Sequence, residues 1–212
     1  MPRPSRFTDD DVLDAALACV VEGGGEIAMA DVAAALAGPV GSIYHRFASR
    51  EILLVRLWLR SVRGFQAGLF GIVEGAAAAG ELPDDTLVAM AGHVPRYCRS
   101  HPDEARALTL FRHDRLLASC PDEVRAEVTA VNLELESLTR RLSRDRFGRE
   151  SRHGLVLTVL ATRVCPYGLV RPYLGSRVPA VLDDAVTTTS RAILALGDGV
   201  TCQGDRRVAS QE

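Results

Sequence analysis

Apolar and polar positions alternate along this chain with a helical period almost throughout. Leu13, Ala16, Leu17 and Val20 recur at three- and four-residue steps. Thr8 ahead of them suits an N-cap, and Asp9, Asp10 and Asp11 complement the dipole of a first turn. Gly23-Gly24-Gly25 stops this helix. No Gly-Lys-Ser/Thr follows, so the triple glycine reads as a turn rather than a phosphate loop. A second short helix is predicted over about 30–37, burying Val32, Ala33 and Leu36, and Gly38 breaks it. A third runs from Pro39, a residue suited to a first helical position, to about Phe47. Ser49 then caps a long helix over 50–79, with Glu51 in its first turn and Gly80 at its end.

Only helix patterns follow. They predict helices over 83–100, 102–119, 121–146, 150–174 and 178–196, several opened by proline. The stretch 121–146 places Val124, Val128, Val131, Leu135, Leu138 and Leu142 on one stripe. The helix over 150–174 is apolar nearly all round, so both of its faces should be buried, one against the body and the other against a second subunit. Pro166 inside it should free the carbonyl of Thr162. Residues 1–6 read as a flexible arm, and 197–212 as a frayed tail. The expected fold is all-α. A three-helix head over 1–49 precedes a helical body over 50–196 and the flexible tail.

Composition narrows the function. Of 212 residues, 47% are hydrophobic and 5% aromatic, enough apolar material for a core and poor in strand formers. The net charge is −2, and every basic residue is arginine. Through residue 60, six arginines stand against eight acids, so any DNA footprint must be a local patch with the acids turned away. Five scattered cysteines without a C-x-x-C pair argue against a disulfide framework or a zinc site. No cofactor or metal is expected. No leader or run of membrane-spanning length is apparent, and the cytoplasm is the expected compartment.

Residues 29–53 carry the functional signal. A short helix, a tight turn and a second short helix share a small-residue core, which is helix-turn-helix logic. The second helix would enter a major groove with its N-terminal residues at base edges. The series Asp31-Val32-Ala33, Gly41-Ser42-Ile43-Tyr44-His45-Arg46-Phe47, Ser49-Arg50-Glu51 and Leu53 resembles the signature of the TetR family of bacterial regulators. That resemblance covers about the first quarter of the chain; the remainder matches in helix number and length.

The resemblance implies that Tyr44, His45 and Arg50 contact phosphates, Arg50 standing where the family usually has lysine. It places Pro39, Val40, Gly41 and Ser42 against base edges, and Gly41 without a Cβ permits close approach. Arg3 and Arg6 would reach a minor groove or flanking phosphates. Two positions depart from the pattern. Ala37 stands where glycine is usual, and Val40 where a polar residue is common. Few side chains are left for bidentate base readout. Ile43 and Phe47 read as core, Arg46 as a solvated or helix-packing arginine, and Arg56 and Arg60 as a solvated face.

The implied partners are an operator duplex, a second copy of the chain through the two C-terminal helices, and a small apolar or amphipathic effector. No membrane partner is expected. Pocket candidates are Trp58, Phe65, Met90, His93, Tyr97, Phe111, Asn132, Arg163 and Tyr167. His93 reads equally as a satisfied core histidine. Arg163, if buried, needs a partner, an intersubunit carboxylate such as Asp183 or Asp184 rather than an anionic ligand. Gly64, Gly68, Gly71 and Gly75 line one face of the long helix, either for close packing or for ligand space and bending. The function expected is a homodimeric repressor released by a ligand. No triad, paired carboxylates or phosphate loop supports an enzyme. A partner-binding module without DNA regulation and a thiol redox sensor are the other rivals.

Overall fold

A computed structural model of the chain describes residues 7–23 and 27–198. Among them the architecture is all-α, with no strand. Arg3, Arg6, Gly24, Gly25 and the tail beyond residue 198 lie outside the described residues. The helices are α1 (Asp9–Gly23), α2 (Met29–Ala35), α3 (Val40–Tyr44), α4 (Arg50–Ala79), α5 (Pro83–Ser100), α6 (Pro102–Ala107), α7 (His113–Ser119), α8 (Asp122–Ala130), α9 (Leu133–Phe147), α10 (Arg152–Val159), α11 (Cys165–Val170) and α12 (Val181–Ala195).

The chain packs as two compact units: Met1–Gly64 with His101–Val131, and Phe65–Ser100 with Asn132–Glu212. In the first, Val12, Ala16 and Val20 of α1 join Val32 of α2, Ile43, Phe47, Leu53 and Leu57, with Val124 and Val128 of α8. In the second, Leu69 and Val73 join Leu87, Met90, Leu138, Leu142, Ala161 and Leu194. Residues 50–64 and 101–131 thus share the core of the first three helices. The packing units do not follow a boundary at residue 50.

Local chemistry sets the best-defined helix ends. The Thr8 hydroxyl accepts from the Asp11 N–H at 3.1 Å while the Asp11 carboxylate accepts from the Thr8 N–H at 2.7 Å, a reciprocal capping box. Ser49 Oγ accepts from the Ile52 N–H at 3.2 Å and opens α4. Gly80 closes α4 with φ +66°, and the Glu81 N–H reaches back to the Ala76 carbonyl at 3.0 Å.

Three predicted helices are broken. The one over 102–119 splits into α6 and α7, and Leu108, Leu110 and Phe111 between them pack half-buried on the first unit's core. A continuous helix could not turn these closely spaced apolar residues to one side. The one over 121–146 splits at Val131-Asn132. Its stripe survives, but Val124 and Val128 serve the first core and Leu138 and Leu142 the second. Asn132, a poor helix former, precedes α9 and accepts from Gln66 Nε2 at 3.0 Å. The third predicted helix is also shorter than expected, ending at Tyr44.

The helix expected over 150–174 becomes α10, a π-helical turn over Leu160–Val164, α11, and a 3-10 turn over Arg171–Tyr173. The wide turn sits directly before Pro166, which has no N–H to donate to the ladder. Ser190 of α12, fully buried, donates to the Ala161 carbonyl within that turn at 2.8 Å. In the single chain this helix is buried on one face, α10 against α9 and the rest against α5 and α12. Val156, Leu160, Val164 and Tyr167 are exposed in the single chain, on the face expected to meet a second subunit. By length and composition Arg152–Tyr173 is apolar enough to cross a membrane, although its inner face packs within the second unit.

Candidate nucleic-acid interface

The turn between α2 and α3 fixes how α3 is presented. The Gly38 N–H bonds the Ala33 carbonyl and the Ala37 N–H bonds the Ala34 carbonyl, both at 2.9 Å, a Schellman-type stop. Its left-handed residue is Ala37, at φ +48°, a conformation costing a non-glycine residue roughly 1 kcal/mol. Gly38 has a different task. A Cβ there would stand 2.6 Å from the Phe7 ring, so the glycine makes room for the segment that leads into α1.

With that turn set, α3 divides cleanly. Ile43 is fully buried and Phe47 nearly so, as expected of core residues. Pro39, Val40, Gly41, Tyr44 and His45 are exposed, Val40 by 42% and Tyr44 by 50%, and Ser42 is half-buried. A Cβ on Gly41 would meet nothing within 4 Å, so no packing within the chain calls for glycine there. Of the residues expected at base edges and phosphates, those five are exposed, Ser42 and Arg50 are half-buried, and Arg3 and Arg6 lie outside the described residues.

The acids of the head are consumed locally. Arg46 pairs with Asp9 and donates to the Phe7 carbonyl, which makes it a packing arginine and ties Phe7 to the turn. Arg60 pairs with Asp14 at 2.8 Å and lies 3.7 Å from Asp10. Arg56 pairs with Glu127 of α8. Arg56 and Arg60 are thus cross-links, not a solvated face as expected. Asp11 is held by Thr8, which keeps its carboxyl below the usual range, and Asp31 accepts from the Ala28 N–H at 2.9 Å. Arg50 donates Nε to the Ile27 carbonyl at 2.6 Å and lies 3.9 Å from Glu51. Its Nε holds the α1–α2 connection, so only its outer nitrogens remain for another contact.

The pocket candidates fall into three groups. Trp58, stacked on His113 with ring centroids 6.2 Å apart, and Phe111 belong to the first unit. Phe65, Met90, His93, Tyr97 and Asn132 belong to the second. There Phe65 meets Tyr97 edge-on at 5.2 Å and His93 at 4.9 Å. His93 Nε2 lies 3.0 Å from the Phe65 carbonyl, the satisfied arrangement. Its ring fills the space a Cβ on Gly68 would need. Close packing thus accounts for Gly68, whereas a Cβ on Gly71 or Gly75 would meet nothing. Arg163 and Tyr167 form the third group, both exposed on the outer face of the π-turn helix. Within the chain Asp183 binds Arg99 at 2.9 Å, and Arg163, being exposed, does not need the buried partner considered for it.

Two of the thiols are held in the protonated form. Burial pushes Cys98 up to about 11, and burial with nearby Asp31 and Glu22 raises Cys19. Among the described residues, no three His, Cys, Asp or Glu side chains gather as a metal site.

No family model matches the chain. No curated protein matches it either. Solved structures do match. The ketosteroid transcriptional regulator KstR2 of Mycobacterium tuberculosis is similar with a TM-score of 0.63 at 17% identity, over 91% of this chain and 97% of that one. The chain therefore shares that protein's all-α fold along nearly its whole length; at this identity the likeness speaks to fold alone.

Proposed function

We propose that the chain is a homodimeric, DNA-binding transcriptional regulator of the TetR type, a repressor released when a small apolar or amphipathic molecule binds its helical body. The observation that carries this reading is the surface of α3. Five exposed residues, Pro39, Val40, Gly41, Tyr44 and His45, stand over the buried anchors Ile43 and Phe47, and Gly41 has no packing reason to be glycine. Such a surface suits approach to a major groove, with Tyr44 and His45 at phosphates and residues 39–42 at base edges. Local pairing of Asp9, Asp10 and Asp14 removes much of the repulsion an acidic head would exert on DNA.

In this reading residues 1–49 read the DNA and 50–196 sense and dimerise. The outer apolar stripe of Val156, Leu160, Val164 and Tyr167, with the exposed small residues of α12, supports a self-complementary interface. Two heads would then address half-sites about 34–36 Å apart or a multiple of that. Phe65, Met90, His93, Tyr97 and Asn132 are the effector candidates within one unit. The effector must favour a head spacing that does not fit DNA, since tight binding alone shifts nothing.

The test is a footprint on DNA upstream of the chain's own gene, followed by titration of that duplex with wild type and Tyr44→Ala/His45→Ala. Both residues are exposed, so the variant keeps its fold. Affinity is expected to fall about tenfold or more, with a shallower salt dependence. Unchanged affinity and slope sink the proposal. A thiol sensor has no supporting observation, given the raised Cys98 and Cys19.

A further inference from the structure

We propose that the end of α9 and the start of α10 form a second polyanion-binding surface, one that takes the phosphate backbone of duplex DNA. Residues 139–154 hold six arginines against Asp145 and Glu150, a local excess of four positive charges in a chain whose net charge is −2. Arg146 is engaged by Asp84 and Asp198. The other five, Arg140, Arg141, Arg144, Arg149 and Arg152, are exposed, as is His153. None of these five makes an ion pair or hydrogen bond among the described residues. Elsewhere Arg56, Arg60, Arg99 and Arg191 are paired, and the unpaired arginines outside this segment are scattered rather than clustered.

Helix stability does not explain the cluster. Arg144 sits in the last turn of α9, where a cation complements the dipole. Arg140 and Arg141 lie further back, both exposed, Arg140 on the face opposite the buried Leu138 and Leu142 and Arg141 on its flank. Arg152 and His153 open α10, whose first turn has no acid, so there a cation faces the positive end of the dipole. Glu136, Asp145 and Glu150 are the acids nearest in sequence, and none of them forms an ion pair with the five arginines among the described residues, which leaves the cluster open to an external anion.

The surroundings favour duplex phosphates over other anions. A protein partner wants an apolar or aromatic anchor at the centre of its contact. No large apolar side chain is exposed between Thr139 and Leu155. A single strand wants exposed rings for base stacking. The one ring here, Phe147, is closed in: Cβ atoms on Gly154 and Gly197 would both collide with it. A duplex backbone asks only for positive charge at the surface. This surface would be independent of base sequence and of the contacts proposed for α3.

The experiment titrates a labelled duplex of scrambled sequence with the full chain over a salt series. It compares wild type, Arg140→Ser/Arg141→Ser/Arg144→Ser, the same three positions changed to lysine, and Tyr44→Ala/His45→Ala. The serine variant is expected to lose about tenfold in affinity at low salt and to lower the salt slope by about 2.7, close to 0.9 for each phosphate contact removed. The lysine variant keeps the slope, which separates charge from altered folding. An unchanged slope in the serine variant overturns the proposal. So does charge-dependent binding to vesicles of phosphatidylcholine with phosphatidylglycerol, or to polyglutamate, without duplex binding. Failure of the α3 reading registers separately, as an unchanged affinity of Tyr44→Ala/His45→Ala for the upstream DNA.

Discussion

Within the single helix α4, the residues before and after Gly64 are built to different rules. From Arg50 to Gly64, nine of fifteen residues are buried: Ile52, Leu53, Leu54, Val55, Leu57, Trp58, Leu59, Ser61 and Val62. Burial on that scale leaves little of the helix facing solvent, and the remaining surface is held by the ion pairs of Arg56 and Arg60. From Phe65 to Ala79 only Gln66, Leu69, Val73 and Ala76 are buried, a 3-4-3 stripe along one side. Gly71 and Gly75 lie away from any atom that a Cβ would touch. The same backbone thus serves as a strut packed on most sides in one unit and as a one-sided, glycine-thinned helix in the other. Helix continuity does not imply uniform stiffness. Local opening should be easier in the second half, where fewer apolar contacts hold each turn.

The largest effect comes from cutting the strut. Leu57→Ala should cost about 2–5 kcal/mol, because Leu57 is fully buried and its neighbours cannot all collapse into the void. Leu69→Ala in the thinner half should fall at the low end of that range, its surroundings having more freedom to close. Denaturant midpoints of the two variants give the comparison directly. A larger loss at Leu69 would mean that the second half is the better packed, and the contrast drawn above would be lost.

Two glycines of one stripe should next give opposite signs. Gly68→Ala pushes a methyl into the His93 ring, which is held by its bond to the Phe65 carbonyl and by Tyr97, so it should destabilise by about 1–3 kcal/mol. Gly71→Ala meets open space and removes backbone freedom from the unfolded chain, so it should stabilise by about 0.5–1 kcal/mol. Thermal midpoints decide it. Destabilisation at both positions would mean that an unseen neighbour occupies the Gly71 face, and a second subunit is then the first place to look.

How much of this was readable beforehand follows from where the governing interactions lie. The ends of α4 and α5 are legible because caps are local: Ser49, Gly80 and Pro83 act within a turn of the boundary they set. The breaks at 108–112 and 131–132 are not, because the helical period runs on across them. Val128 and Leu135 fit one stripe although they serve different cores. The exposed face of α3 was legible from the spacing of Ile43 and Phe47 and from the resemblance. Its support was not. Arg46 meets Asp9 across thirty-seven residues of sequence, and Arg50 reaches Ile27 across twenty-three. Long-range charge pairing leaves no periodic trace, so Arg56 and Arg60 read as solvent-facing until the fold brought Glu127 and Asp14 to them.

The smallest effect tests whether those charges help to hold the strut. Glu127 accepts from Arg63 at 2.7 Å and pairs with Arg56, one helical face of α4 supplying both. The Arg63 hydrogen bond first, then Arg56, holds the Glu127 carboxyl below its ordinary value of 4.5. A carboxyl lowered in the folded state lends stability in full above its unfolded pKa and loses it as pH falls through the folded one. Glu127→Gln should therefore destabilise at neutral pH by about 1 kcal/mol at most, because these side chains stay about a third exposed or more and salt screens them. Wild type and variant should converge as pH drops below about 4.5, and the gap should narrow at high salt. A difference that persists in acid cannot come from charge. It would assign Glu127 a packing role, and α4 would then owe its firm half to apolar contact alone.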